Sequence, residues 1–154
     1  MMLSDEQYME QALQQAGLAA KCGEVPVGAV LVLPGGKQFA AHNAPISTCD
    51  ASAHAEMRVI REACAAIGNY RLVGAQLFVT LEPCTMCAGA IIHARIGRVV
   101  YGASEPKTGA VESLYQLLSD ERLNHQPEFK GGVLADACRV QIKTFFKARR
   151  GKKT

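Results

Sequence analysis

No apolar run in the 154 residues approaches the roughly 20 needed to cross a bilayer as a helix, which excludes that form of membrane anchoring. Residues 1–10 contain acids but no basic residue, so the segment does not resemble a signal peptide. The expected compartment is the cytoplasm, where six cysteines stay mostly reduced. Internal repeats, low-complexity stretches and interdomain linkers are also missing, and the length is too short for two ordinary domains. One domain over residues 1–154 is therefore expected. With 49% hydrophobic and 20% charged residues, disorder is excluded as well.

Negative charge is missing from the carboxyl end. After Asp136 there is no acid, and six of the 17 basic residues fall within 143–154. Without that stretch the formal charge of +3 becomes −3. A basic tail on a slightly acidic body points to a polyanionic partner, or equally to a solvated helix end.

Ser4-Asp5-Glu6-Gln7 reads as a capping box, followed by apolar residues at helical spacing and a stop at Gly23. Val25 to Leu33 reads as a buried strand, Pro34 to Lys37 as a turn, and Gln38 to His42 as the returning strand. An irregular stretch follows, then a helix from about Ala53 to Ile67 with Asp50 or Ser52 near its cap. In that helix His54 and Met57 would share a side, aiming the imidazole inward from the first turn. Gln76 to Leu81 reads as a buried strand ended by Pro83, with a helix from Cys84 and a further strand at Arg98 to Tyr101. This alternation predicts right-handed crossovers and parallel pairs. Gly102 to Gly109 is a polar loop at the carboxyl end of a strand, where α/β folds place ligands. Ser113 to Leu118 is read as a short helix, Pro127 to Val133 as an edge strand, and about 134 to 150 as a basic carboxyl-terminal helix. On that last helix Phe145 belongs to the apolar stripe and Phe146 falls beside it.

Two short motifs carry the chemistry. His54-Ala55-Glu56 sets an imidazole and a carboxylate two residues apart, and Pro83-Cys84-Thr85-Met86-Cys87 sets two thiols three apart. His54, Cys84 and Cys87 make a three-ligand zinc set with an open fourth position, the catalytic pattern, whereas structural zinc normally takes four. Zinc with an open position gives a nucleophilic water at neutral pH, and the spare Glu56 can move its proton as base and then acid. Cys22, Cys49, Cys64 and Cys138 lack partner spacing and are read as small buried hydrophobes. His42, His93 and His125 are read as structural or exposed. Asn43, taken alone, is a turn residue.

Together the two motifs form the H-x-E…P-C-x-x-C signature of zinc nucleobase deaminases. Glu24 to Val30, Asn69 to Leu72, Thr80 to Ala90, Ile92 to Val100, Lys107-Thr108-Gly109 and the Phe145-Phe146…Arg149-Arg150 tail further resemble the bacterial tRNA-specific adenosine deaminases. The resemblance implies a three-layer α/β/α cytidine deaminase-like fold with a mixed five-stranded sheet, one zinc per chain and a homodimer whose two subunits shape the RNA site. It implies deamination of the wobble adenosine of a tRNA anticodon loop to inosine and ammonia. His54, Cys84 and Cys87 then hold zinc and Glu56 shuttles the proton. Asn43 contacts the flipped nucleotide, and Val27 and Ala55 border its base. Glu105, Pro106 and Lys107 approach the RNA, as do Phe146 and Arg149, in keeping with the stacking and phosphate contacts that single-stranded loops attract.

The chain departs from the family pattern at two points. Glu105 stands where aspartate is usual, and Asp50-Ala51-Ser52 lacks the proline that commonly follows the aspartate. The alternatives are a deaminase of a free base or nucleoside, and a non-catalytic RNA-binding or structural zinc protein.

Overall fold

Five short strands pair in the order β2-β1-β3-β4-β5 in the computed structural model, which describes residues 2–151. β1 (Gly28–Val32) and β2 (Gln38–His42) form the expected hairpin, and β1 also runs antiparallel to β3 (Gln76–Leu81). β4 (Arg98–Ala103) lies parallel to β3, and the edge strand β5 (Glu128–Lys130) lies parallel to β4. The sheet is therefore mixed. Its parallel β3–β4 pair is joined through helix α4 (Thr85–His93), as a parallel connection requires a crossover.

Strand alternation divides the core into two halves. Ala29, Leu31, Leu77, Val79, Val99 and Tyr101 cluster with residues of α3 (Ala55–Ile67) and α4. Val30, Val32, Phe78 and Val100 cluster instead with residues of α1 (Asp5–Lys21) and with Cys138 of α5 (Ala135–Gly151). Three layers result, with a sheet buried on both faces. α1 starts at the predicted capping box, in which Ser4 Oγ accepts from the Gln7 amide and Gln7 Oε1 from the Ser4 amide. Its small residues let it sit close on β1. A Cβ at Gly28 would overlap the Ala12 carbonyl and lie 2.6 Å from the Ala16 nitrogen.

Several local expectations are corrected, some by a hydrogen bond that the pattern did not reveal. α3 starts at Ala55, two residues late, because Asn43 Oδ1 accepts the Ala55 amide at 2.9 Å. His54 is consequently the N-cap, with extended backbone at φ −71° and ψ 153°, and does not share a helical side with Met57. Asp50 accepts from Ser52 and shapes the preceding turn instead. Cys84 likewise caps α4, at φ −80° and ψ 179°, so only Cys87 lies within the helix. No helix forms at Ser113–Leu118: the Leu114 and Tyr115 amides both donate to the Gly109 carbonyl and the Leu117 amide to the Ala110 carbonyl, none of them to a carbonyl four residues back. Among the free cysteines Cys138 is buried and Cys64 half-buried, but Cys22 and Cys49 are exposed. Of the basic tail, Lys152 and Lys153 lie outside the described residues.

The stretch read as irregular contains α2 (Pro45–Thr48). Buried Glu24 holds it, accepting from the amides of Ile46 at 3.2 Å and Ser47 at 2.7 Å. Burial alone would raise the Glu24 carboxyl, but the bonds from Ser47 and Ile46 outweigh it and leave it below its usual 4.5. A carboxyl lowered by folding stabilises fully above its unfolded pKa and loses that contribution as pH falls through the folded value. The acid limb of thermal stability, measured below about pH 4.5, is therefore expected to flatten in Glu24→Gln relative to the unaltered protein. Parallel limbs would contradict this role for Glu24.

Candidate active site

The site forms where three chain segments meet at one end of the sheet. His54 precedes α3, Cys84 and Cys87 open α4, and Val25 and Val27 lead into β1. Asn43 joins them, its amide donating to the Val27 carbonyl at 3.0 Å while its side-chain oxygen caps α3. The side-chain NH2 of Asn43 remains available to donate.

His54 Nδ1 lies 3.6 Å from Cys84 Sγ and 3.5 Å from Cys87 Sγ, and the three ligand atoms fall within 4.8 Å of one another. Zinc ligands at ~2.3 Å for sulfur and ~2.0–2.1 Å for nitrogen, at a tetrahedral angle, stand about 3.6 Å apart. The donor set therefore fits zinc in both chemistry and spacing. A hydrogen bond from Cys87, with help from His54, lowers the Cys84 thiol to about 4 despite partial burial. The same bond to Cys84, together with burial, pushes Cys87 up. The helix N-terminus beside Cys84 favours a thiolate there as well.

A cavity of about 140 Å³ opens beside this cluster. Val25, Val27, Asn43, His54, Glu56, Leu81, Glu82, Cys84 and Thr108 line it. Drug-sized ligands occupy roughly 300–1,000 Å³, so this space suits a single ring system whose attachments stay outside. Burial drives the Glu56 carboxyl up to about 7, with His54 and Cys87 pulling the other way. A carboxyl near neutrality is suited to accept a proton and return it. Larger grooves of about 510 and 560 Å³ lie along β2 and between α1 and α5, but the His/Cys cluster is in neither.

The remaining predicted residues divide into groups. Val27 and Asn43 line the cavity, whereas Ala55 is fully buried and contributes its amide to Asn43 instead. Glu105 and Pro106 border a neighbouring groove of about 370 Å³ with Arg139, Ile142 and Lys143, and this groove shares Leu81 with the cavity. Glu105 Oε1 accepts from the Lys107 amide, and Lys107 itself is exposed. Phe146 is 41% exposed, with its ring edge-on to Phe145. Arg149 lies over the Phe145 ring and donates to the Gly23 carbonyl, which ties α5 to the end of α1. Sequence reasoning missed Thr108, Leu81, Val25 and above all Glu82. An acid closing an otherwise apolar strand was the available signal for the last.

Fold, donor set and spare carboxylate define a zinc-binding nucleobase deaminase, and the family model for the cytidine and deoxycytidylate deaminase zinc-binding region matches residues 2–103. A tRNA-specific adenosine deaminase of Bacillus subtilis is 49% identical over 152 residues, covering 99% of this chain and 94% of that protein. Another from Haemophilus influenzae is 47% identical, with 97% and 87% covered. The chain belongs to the tRNA-specific adenosine deaminase family. A solved structure from a study of A-to-I editing by tRNA:A34 deaminases at the wobble position superposes with a TM-score of 0.84 at 47% identity, covering 88% of this chain and 98% of that one. Guanine deaminase from Nitrosomonas europaea shares the fold, with a TM-score of 0.81 at 18% identity.

Proposed function

We propose that this chain is a zinc-dependent hydrolase that deaminates the wobble adenosine of a tRNA anticodon loop to inosine, releasing ammonia. The chemistry rests on one observation: a His/Cys/Cys set at zinc-ligand spacing shares a ring-sized cavity with a buried carboxylate outside that set. The choice of tRNA rests on likeness to tRNA-specific adenosine deaminases along nearly the whole chain.

His54, Cys84 and Cys87 hold one zinc per chain. Bound there, zinc supplies a water whose pKa falls to about 7. Glu56 takes a proton from the attacking water and delivers it to the ring nitrogen beside the amino-bearing carbon. A new C–O bond forms, the C–N bond to the amino group breaks, and Glu56 passes the second proton to the departing ammonia. Asn43 donates its free NH2 to the nucleotide, and Val27 packs on the base. A cavity of about 140 Å³ takes in a base without its neighbours, so the nucleotide must be flipped out of its stack. Glu105, Lys107, Phe146 and Arg149 lie outside the cavity and meet the flanking loop.

Among the described residues no helix is long and apolar enough to cross a membrane. A cytoplasmic protein acting as one domain over residues 1–154 fits that finding and a tRNA substrate. The homodimer rests on the resemblance to the tRNA-specific adenosine deaminases.

Ammonia release from an anticodon stem-loop, compared with free adenosine, cytidine and guanine, tests this reading. Turnover of the stem-loop alone is expected; turnover of a free base or nucleoside alone would overturn it. Deleting residues 147–154 should weaken stem-loop binding and flatten its salt dependence, by about 0.7 in log–log slope for each phosphate no longer neutralised. An unchanged slope would return the tail to a solvated helix end.

A further inference from the structure

Glu82 is a buried carboxylate whose five hydrogen-bond partners all come from one distant loop. It is 2% exposed and sits two residues before Cys84. Oε1 accepts from the Glu105 amide at 3.0 Å and from the Ser113 hydroxyl. Oε2 accepts from the amides of Val111 at 3.0 Å, Glu112 at 2.8 Å and Ser113 at 3.0 Å. A carboxylate kept to hold its own strand would bond its own strand; here every donor lies 23 to 31 residues downstream. Glu82 is also outside the His/Cys/Cys cluster, so metal binding does not explain it.

The loop it gathers, residues 104–113, is part of the site. Gly109 pairs with Cys84 as an isolated antiparallel bridge, and the Ala110 amide donates to the Pro83 carbonyl at 2.8 Å. Thr108 lines the cavity, while Glu105 and Pro106 border the adjoining groove. Packing between loop and carboxylate is tight. A Cβ at Gly109 would overlap the Glu82 carboxyl and lie 2.6 Å from the Glu105 carbonyl oxygen. Tyr101 adds a second tie by donating its hydroxyl to Glu112.

We propose that Glu82 is a positioning residue that fixes the 104–113 loop at the register in which Thr108 walls the base cavity and Glu105 to Lys107 face the RNA. This rests on the deaminase reading above. Glu82 itself borders the cavity, but both of its oxygens are taken by loop donors, so it acts on substrate binding through the loop.

Glu82→Gln makes the proposal specific. An amide has one accepting oxygen and one donating nitrogen. With its oxygen toward Val111, Glu112 and Ser113, its NH2 faces the Glu105 amide, donor against donor. Ser113 can rotate its hydroxyl to accept, but a backbone N–H cannot. The Glu105 anchor is therefore lost, and with it the 105–108 stretch loosens. Expected in Glu82→Gln are faster amide exchange over 105–108 and about a tenfold higher KM for the anticodon stem-loop, with kcat within about threefold. Zinc content should stay at about one per chain. Gly109→Ala, which wedges loop and carboxylate apart from the other side, should show the same KM-weighted change. Ser113→Ala, losing one hydroxyl donor, should stay within about threefold of the unaltered protein.

A loss confined to kcat, or a loss of zinc, would overturn the proposal by placing Glu82 with the metal ligands. Unchanged KM in Gly109→Ala would overturn it even if Glu82→Gln did not fold. Should the unaltered protein form no inosine, the deaminase reading itself fails. Unchanged inosine kinetics in the variants, with the unaltered protein active, would sink the positioning role alone.

Discussion

Replacing Glu56 with alanine is expected to lower inosine formation by about 10²–10⁴-fold while zinc content and fold are retained. The reason lies in the division of labour at the cavity. The proposed metal donors are His54, Cys84 and Cys87, and Glu56 lines the same cavity outside that set. Removing it therefore deletes proton transfer and leaves the donor set whole. Stability should change little in the unfavourable direction, because a carboxyl that burial drives up to about 7 is costly to ionise where it stands. Metal analysis, circular dichroism and single-turnover nucleoside analysis on one preparation test all three expectations. Activity equal to that of the unaltered protein would remove Glu56 from the mechanism.

Cys87→Ala should fail in the opposite way, losing the metal first and the activity with it. Cys87 is wholly buried inside the first turn of α4, and its sulfur stands 3.5 Å from His54 Nδ1. Two remaining donors are fewer than the three protein ligands a catalytic zinc site uses. Metal that binds the folded chain also stabilises it by mass action. The expected result is therefore zinc well below one per chain, inosine formation reduced to background, and a Tm that no longer rises with added zinc. The unaltered protein treated with a chelator should match the variant and recover on zinc addition. Stoichiometric zinc and normal activity in Cys87→Ala would refute the ligand assignment. The contrast with Glu56→Ala separates holding the metal from moving the proton.

The motif residues were legible because their spacing is local. Glu56 follows His54 by two positions and Cys87 follows Cys84 by three, and the buried strand β3 leads directly into the Cys84 turn. The nearly continuous apolar run from Val25 to Leu33 likewise predicted a strand covered on both faces, and the two core clusters take Ala29 and Leu31 on one side and Val30 and Val32 on the other. What stayed hidden depends on bonds between segments far apart in sequence. Asn43 reads as a turn residue until its oxygen is seen capping α3 twelve positions later, which moves His54 out of the helix. Glu24 and Glu82 read as single charges near apolar strands, whereas each gathers the amides of a remote segment. Ser113 to Leu118 has helical composition, but its amides at Leu114, Tyr115 and Leu117 go back to Gly109 and Ala110. Periodicity reports which face of an element is apolar. It does not report which donors a buried carboxylate will collect.

Phe145 and Arg149 offer a related lesson about basic aromatic tails. The resemblance pointed Arg149 toward RNA while the apolar stripe claimed Phe145, and Arg149 covers the Phe145 ring and bonds to Gly23, so this pair first fastens α5 to α1. Phe146, exposed beside them, is the side chain left free to stack. Weaker stem-loop affinity in Phe146→Ala therefore separates RNA binding from helix docking better than any change at Arg149.

The most direct test is to incubate the zinc-loaded protein with total tRNA and map inosine by nucleoside analysis of the anticodon fragments. The account predicts inosine at the wobble position, formed by the unaltered protein and absent with Glu56→Ala. Zinc-loaded, folded protein that yields no inosine from total tRNA or from an anticodon stem-loop would contradict it.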